Sequence, residues 1–346
     1  MLKFANSLST PSSQKRMNRS ACLIFNPVAG QGDPDEDLAT IRALLEPEFT
    51  LDIQMTTEEI GADKLAQAAV QQGVSIVIAS GGDGTLSAAA AAVVGSNVSL
   101  GIISRGTANA FATALGIPDT IEAACETILK GSTRTVDAAF CNGQPLVLLA
   151  GIGFEAKTVE KADREAKNRF GMLAYVMAGL QQWSHLEMFD VEIETEDKII
   201  KTSAAAVTIA NAAPATSVLA QGPAGIIVDD GLLDVTIVAP ANKAGAIAAT
   251  YHLFQTASAH SAVERDDIGY LRGKQFKITT NPPQKVVVDG EIVGKTPIDV
   301  HCVPGGLTVF VPLVDEAILI EKLEGLPHLV VELKHPDHQE EGVPTN

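Results

Sequence analysis

The stretch Val74–Val94, VSIVIASGGDGTLSAAAAAVV, leaves the chain little choice of local fold. Val74, Ile76, Val77 and Ile78 form the apolar, β-branched run of a buried strand. Gly81, Gly82 and Gly84 punctuate it, and the alanine-rich segment behind them predicts a helix. A strand, a tight glycine turn and a helix N-terminus together make an anion site. The turn's free N–H groups and the helix dipole point at one place, and the absent side chains let a phosphate approach. Asp83 is the unexpected residue. A carboxylate beside a phosphate is repulsive unless a cation bridges the two, or unless it fixes the loop or a reacting hydroxyl. Simple anion binding does not ask for such a group; nucleotide chemistry does.

The flanking sequence alternates strand and helix. Ala21–Phe25 predicts a strand closed by the loop Asn26-Pro27-Val28-Ala29-Gly30-Gln31-Gly32. Asp35–Leu45 suits a helix and Leu51–Met55 a second strand, and Thr57 is expected to N-cap a helix running towards Gln72. Leu100–Ile103 predicts another strand, followed by Arg105-Gly106-Thr107-Ala108-Asn109-Ala110-Phe111 and a helix to Leu115. Pro118 separates that helix from the next, Ile121–Lys130. Such alternation implies a doubly wound parallel sheet whose ligands sit beyond the carboxyl ends of its strands, so the three turns are expected to converge.

From about Arg134 the rhythm changes. Val136–Phe140, Pro145–Ala150, Val191–Thr195, Ile199–Ala210, Leu233–Val238, Gln275–Thr279, Lys285–Asp289 and Leu307–Val311 read as antiparallel strands. The turns Asp229-Asp230-Gly231, Pro282-Pro283 and Asp289-Gly290 separate some of them. Helices are expected near Glu155–Trp183 and Lys243–His260. The expected organisation is a basic disordered tail over 1–19, an α/β domain over 20–133, a mostly antiparallel β domain over 134–315, and a C-terminal segment over 316–346.

Charge and cysteine usage exclude several classes. A net charge of −17 argues against sequence-unspecific nucleic-acid binding. No run approaches the ~18 apolar residues of a membrane span. Four scattered cysteines without a CxxC pair fit a reducing cytosol and argue against a thiolate zinc site. The histidines show no metal-ligand spacing. The basic residues between Lys157 and Arg169 interleave with acids, as on a solvated helix face.

Two acidic turns carry more chemistry. Gly290 to Thr296 imitates a P-loop but has three residues between its glycines and Pro297 behind it, so it launches no helix. The preceding Asp289-Gly290-Glu291 is more informative, since either Asp289 or Glu291 is placed to accept a proton from an attacking hydroxyl. Asp229-Asp230-Gly231-Leu232-Leu233-Asp234 clusters oxygen ligands suited to Mg²⁺ without the spacing of an EF-hand.

Taken in order, these motifs resemble one family. Asn26-Pro27-x-Ala29-Gly30, Gly81-Gly82-Asp83-Gly84-Thr85 and Gly106-Thr107-Ala108-Asn109-x-Phe111-Ala112 are similar to the catalytic domain of diacylglycerol and sphingosine kinases. Gly151-x-Gly153-Phe154, Asp230-Gly231-Leu232-Leu233-Asp234 and Asp289-Gly290-Glu291 resemble its bacterial soluble lipid kinases. The resemblance covers roughly residues 20–315. It implies a two-domain enzyme that moves the γ-phosphoryl of ATP to a lipid hydroxyl, diacylglycerol or a related lipid alcohol, at the membrane surface. ATP contacts would fall on Asn26, Thr57, Gly81, Gly82, Asp83, Gly84, Thr85, Leu86, Ser87, Gly106 and Thr107. Glu291 would accept the proton, with Asp289 and Asp83 completing the catalytic set. Mg²⁺ would be held by Asp230 with main-chain oxygens of Ile227 and Leu232. A cytoplasmic protein, peripheral at the membrane, is expected, and homo-oligomerisation is left open. Ser87 and Ala110 stand where the family usually has Asn and often Asp, and Ala212–Gly225 lacks the glycine triplet common there. Two other readings are a kinase of a soluble substrate, as in NAD kinase, and a non-catalytic nucleotide or lipid sensor. The Asn-Glu pair of NAD kinases does not occur in this chain.

Overall fold

Uninterrupted apolar runs bury both faces of a strand, and three such runs build the centre of the N-terminal half. The computed structural model describes residues 19–153, 187–214, 220, 226–240, 245, 248–249, 252 and 265–312. The expected basic tail before residue 19, the helix over 155–183, most of that over 243–260 and the segment past 312 lie outside the described residues. In the N-terminal half the order is β1 (Arg19–Phe25), α1 (Pro34–Leu45), β2 (Phe49–Met55), α2 (Ala62–Gln71), β3 (Ile76–Gly81), α3 (Asp83–Val93), β4 (Ser99–Ser104), α4 (Ala110–Ala114) and α5 (Ile121–Lys130). The strands lie in the order β2-β1-β3-β4, all parallel. On one face α2 and α3 pack Ala62, Ala66, Ala69, Leu86, Ala89 and Ala90 against Val77, Leu100 and Ile102. On the other, α1 and α5 bring Ile41, Leu45, Cys125 and Ile128 against Leu23, Phe25 and Ile78.

Local signals explain the helix ends. Asp33 caps α1, its carboxylate accepting from Asp35 N, with Pro34 in the first turn and acids behind it. Thr120 caps α5, which ends at Gly131 in the left-handed conformation.

The second half contributes β5 (Thr133–Cys141), β6 (Gln144–Leu146), β7 (Leu149–Gly153), β8 (Phe189–Glu194), β9 (Ile199–Ala204), β10 (Ala206–Ala210), β11 (Leu233–Val238), β12 (Ile268–Gly273), β13 (Gln275–Asn281), β14 (Lys285–Val288), β15 (Glu291–Lys295) and β16 (Ile298–Phe310). An antiparallel sheet, β12-β11-β10-β7-β14-β15, faces strands β13 and β8 across a core of Ile152, Val207, Ile209, Val235, Val191, Ile193, Phe276 and Ile278. The architecture is thus an α/β N-terminal half followed by an antiparallel β sandwich. The two share one sheet, because β16 runs parallel to β4 at Thr308–Val309 while pairing antiparallel with β5 over Val300–Phe310 and with β13 over Ile298–His301.

Three local expectations need correction. Ile199–Ala210 is not one strand: β9 pairs with β8 in the large sheet, and β10 pairs with β7 and β11 in the other. The chain changes sheets at Ala205, whose N–H donates to Val238 O at 2.8 Å. Pro145–Ala150 likewise divides between β6 and β7. Thr57 does not cap α2, which starts behind Gly61; its hydroxyl accepts from Glu59 N and Ile60 N instead, closing a turn before the helix.

Candidate active site

The turns after β1, β3 and β4 meet at the carboxyl edge of the parallel sheet. Asn26 makes the first junction. Its N–H donates to Ser80 O at 2.9 Å, its Nδ2 to Thr85 Oγ1 at 2.8 Å, and its Oδ1 accepts from Val28 N at 3.1 Å. Arg105 N donates to Gly81 O at 2.7 Å, tying the third turn to the second. The two turns touch backbone to backbone. A Cβ on Gly106 would stand 2.8 Å from Gly82 Cα and from Asn109 Oδ1, so only glycine fits there. Asn109, at φ 48°, accepts from Gly106 N at 2.8 Å and holds the bend.

The glycine loop opens α3 without a side-chain cap, since Gly82 is the N-cap. Thr85 N already donates to Gly82 O at 2.9 Å, so that end of the helix offers a ligand its dipole and the amides ahead of Thr85. A Cβ on Gly84 would meet nothing within 4 Å, which leaves space at that point of the first turn. Thr85, Leu86 and Ser87 are buried, Leu86 fully, so the side chains of Leu86 and Ser87 line core rather than solvent. Thr107 is exposed on the third turn, and Thr57 lies beyond β2, next to the end of β1 through Thr56 N donating to Phe25 O at 3.0 Å.

Asp83 turns inward. Its carboxylate accepts from Ala110 N, capping the five-residue α4. Burial pushes its carboxyl above the usual range, against the pull of hydrogen bonds from the Ala110, Phe111 and Asn109 amides. Of the roles open to it, loop fixing is the one its contacts express.

Arg105 and Asp37 carry a function that sequence reasoning missed. The Arg105 guanidinium is almost wholly buried; Nε and Nη2 lie 2.8 and 2.7 Å from Asp37 Oδ2, and Nη1 donates to Asn26 O at 2.9 Å. It lies over the Phe25 ring at 4.2 Å. One cation thereby pins α1, the Asn26 loop and the third turn together.

In the second half, Asp289 and Gly290 take φ values of 47° and 88° and form the two-residue turn between β14 and β15. The two acids of this turn have different surroundings. Glu291 is exposed. The Asp289 carboxylate accepts from Val147 N, Leu148 N and Leu149 N at 2.8, 2.9 and 3.0 Å. Burial raises its pKa, those three amides lower it, and the nearby Glu291 charge raises it.

The aspartate turn is anchored from behind by Asp137, a second residue not anticipated. Its carboxylate accepts from Gly231 N at 2.7 Å and Gly305 N at 2.8 Å. Asp230 Oδ1 accepts from Leu232 N at 3.0 Å, and its Oδ2 lies 3.5 Å from Arg272 Nη1. Asp234 Oδ1 accepts from Arg272 Nε, while its buried Oδ2 has no hydrogen-bond partner among the described residues. No group of three His, Cys, Asp or Glu among the described residues is arranged to hold a metal. A cation at this turn would depend on main-chain oxygens, as expected for Ile227 and Leu232 beside Asp230. Carboxylate and carbonyl oxygens fit a hard ion such as Mg²⁺.

A family model described as the diacylglycerol kinase catalytic domain matches residues 20–141, and one described as the YegS C-terminal NAD kinase beta sandwich-like domain matches 149–311. The chain belongs to the diacylglycerol kinase catalytic-domain family. It is 31% identical over 84% of its length to a Xanthomonas oryzae pv. oryzae protein named a probable YegS-like lipid kinase, covering 95% of that relative. It is 28% identical to a diacylglycerol kinase of Bacillus subtilis, over 81% of this chain and 92% of that one. An uncharacterized Synechocystis protein is 46% identical over 84% of this chain and 70% of its own length. A crystal structure of a diacylglycerol kinase from Bacillus anthracis superposes with a TM-score of 0.66 at 25% identity, over 85% of this chain and 97% of that one. The diacylglycerol kinase catalytic-domain match contains the three converging turns and Arg105. The sandwich match contains Asp230, Asp289 and Glu291. A phosphotransferase is what this kinase family supports. No helix among the described residues is long and apolar enough to cross a membrane.

Proposed function

We propose that the protein transfers the γ-phosphoryl of ATP to the hydroxyl of a lipid alcohol, diacylglycerol or a close relative. One observation carries the donor side. Three strand-end turns interlock around an uncapped helix N-terminus, with open space at Gly84, in a chain of the diacylglycerol kinase family. Asn26, Thr57, Gly106, Thr107 and the main chain of Gly81–Ser87 are assigned to the nucleotide. The α/β half, 20–133, is read as the donor domain and 134–315 as the acceptor domain.

Glu291 is the group of the hairpin turn left in solvent, and it is assigned as proton acceptor. The lipid hydroxyl oxygen attacks the γ-phosphorus as its proton passes to Glu291. The bond from that phosphorus to the bridging oxygen of the departing ADP breaks. Mg²⁺, held by Asp230 with main-chain oxygens of Ile227 and Leu232, would supply charge neutralisation. Backbone amides and positioning supply much of the remainder. A cytoplasmic protein that meets its lipid at the membrane surface fits this reading.

The test is ATP consumption against a panel of lipid alcohols in mixed micelles, with NAD as the soluble comparator. Lipid-dependent turnover that falls ~10²–10⁴-fold in Glu291→Gln is expected. Turnover with NAD and with no lipid would replace the lipid assignment.

A further inference from the structure

Three consecutive amides, those of Val147, Leu148 and Leu149, donate to a single side chain some 140 residues away in sequence, Asp289. The carbonyls of the same segment are also taken. Asn211 N and Ala212 N donate to Leu148 O at 2.8 and 3.0 Å, and Asn211 Nδ2 donates to Val147 O at 2.9 Å. Val147 and Leu148 share one buried apolar cluster with Leu86, Ala89, Ala90 and Val93 of α3. The segment thus joins the hairpin turn to the helix that carries the glycine loop. On the hairpin side, Asp289 N donates back to Leu149 O at 3.0 Å, and Glu291 follows as the first residue of β15, paired with Val288.

We propose that Asp289 is a positioning residue: by clamping segment 147–149 it sets Glu291 at a fixed place relative to the phosphate cradle at the head of α3. The inference rests on the reading of Glu291 as proton acceptor. Its chemistry needs an anion with two acceptor oxygens. Oδ1 serves Leu148 and Leu149, and Oδ2 serves Val147. In Asp289→Asn one of these oxygens becomes an NH₂ that faces an N–H, so one side of the clamp is lost. A catalytic group displaced by about 1 Å commonly loses on the order of 10²-fold in rate.

The experiment compares Asp289→Asn, Glu291→Gln and the double variant of the full chain. Lipid-dependent kcat, ATP affinity and amide exchange at Val147–Leu149 are measured, with circular dichroism to check folding. Asp289→Asn is expected to lower kcat ~100-fold, leave ATP affinity within about twofold, and speed exchange of the three amides at least ~10-fold. Because it acts through Glu291, the double variant is expected to be no slower than Glu291→Gln alone. Should the Asn variant not fold, Asp289→Glu moves the carboxylate by one methylene and is read the same way. A kcat within threefold of wild type, unchanged amide exchange, or losses that multiply in the double variant would each overturn the role of Asp289. Glu291→Gln turning over at the wild-type rate overturns the proton-acceptor reading itself, and this inference with it.

Discussion

Asp37→Asn removes the charge that neutralises Arg105 while keeping the size of the side chain. Arg105 has 3% of its side chain exposed and Asp37 23%, so the cation is left behind in a site that water barely reaches. Breaking a buried pair by removing one partner costs about 3–5 kcal/mol, and the partial exposure of Asp37 argues for the lower end, ~3 kcal/mol. Arg105→Met removes the cation instead. Asp37 can then hydrate, and the losses are the hydrogen bond to Asn26 O and the contact over Phe25, together ~2 kcal/mol. The double variant loses the same contacts without stranding a charge, so it too should cost ~2 kcal/mol, well short of the ~5 kcal/mol sum of the single changes. Urea unfolding without nucleotide measures all three, since bound ligand would add its own stabilisation. A cost under ~1 kcal/mol for Asp37→Asn, or strict additivity in the double variant, would refute the claim that this pair holds the turns together. Release of the Asn26 loop is also expected to raise the KM for ATP.

Glycine substitutions separate fold from ligand. Gly84→Ala, at an open position within α3, is expected to leave the melting temperature unchanged or slightly raised yet to raise the KM for ATP; a lowered melting temperature would contradict the open space. Gly106→Ala, pressed against Gly82, is expected to lower both stability and ATP binding, read by thermal unfolding with and without nucleotide. Asp83→Asn removes a buried charge and keeps an oxygen for Ala110 N, but turns an NH₂ toward the neighbouring amides, so its stability at neutral pH should lie close to wild type, whereas Asp83→Ala should lose ~1–2 kcal/mol. Asp83 holds its proton more tightly folded than unfolded. Its burial cost is thus present at neutral pH and disappears as pH falls through its raised pKa toward 3.8, so the stability of the Asn variant relative to wild type should fall on acidification. The thiols of Cys22 and Cys141, pushed up to about 11, and of Cys125 and Cys302, up to about 12, should resist alkylation at pH 8 until the protein unfolds.

The parallel strands were legible because burial on both faces writes β1, β3 and β4 as unbroken apolar runs, and the glycines mark where each ends. The exchange of sheets at Ala205 left no such mark. Ala204, Ala205 and Ala206 are small and buried, and the strand break is decided by partners far along the chain. In the site, the turns themselves were readable, but the polar groups behind them were not. Asp137 and Asn211 each stand alone in an apolar stretch, a signal that a buried polar group needs partners without saying which. Arg105 sat in plain view in the third turn, but its partner Asp37 lies 68 residues earlier, on a helix face that otherwise reads as solvated acid. The difference between Asp289 and Glu291 depends on which side of a two-residue turn faces the 147–149 segment. That orientation is tertiary.

The thirteen residues of β16 have a consequence for biogenesis. During synthesis the α/β half emerges first, with β4 as an open sheet edge until Thr308 and Val309 arrive to pair with Ser99 and Leu100. An unprotected edge of this kind invites pairing with other chains, and its late closure makes folding slow and dependent on distant contacts. A ribosome stalled short of residue 298, or a protease cutting there, takes a strand from the sheet that both halves share. Closure of the shared sheet at Ser99–Leu100 therefore waits for a strand made long after the helices that cover the faces of the parallel sheet.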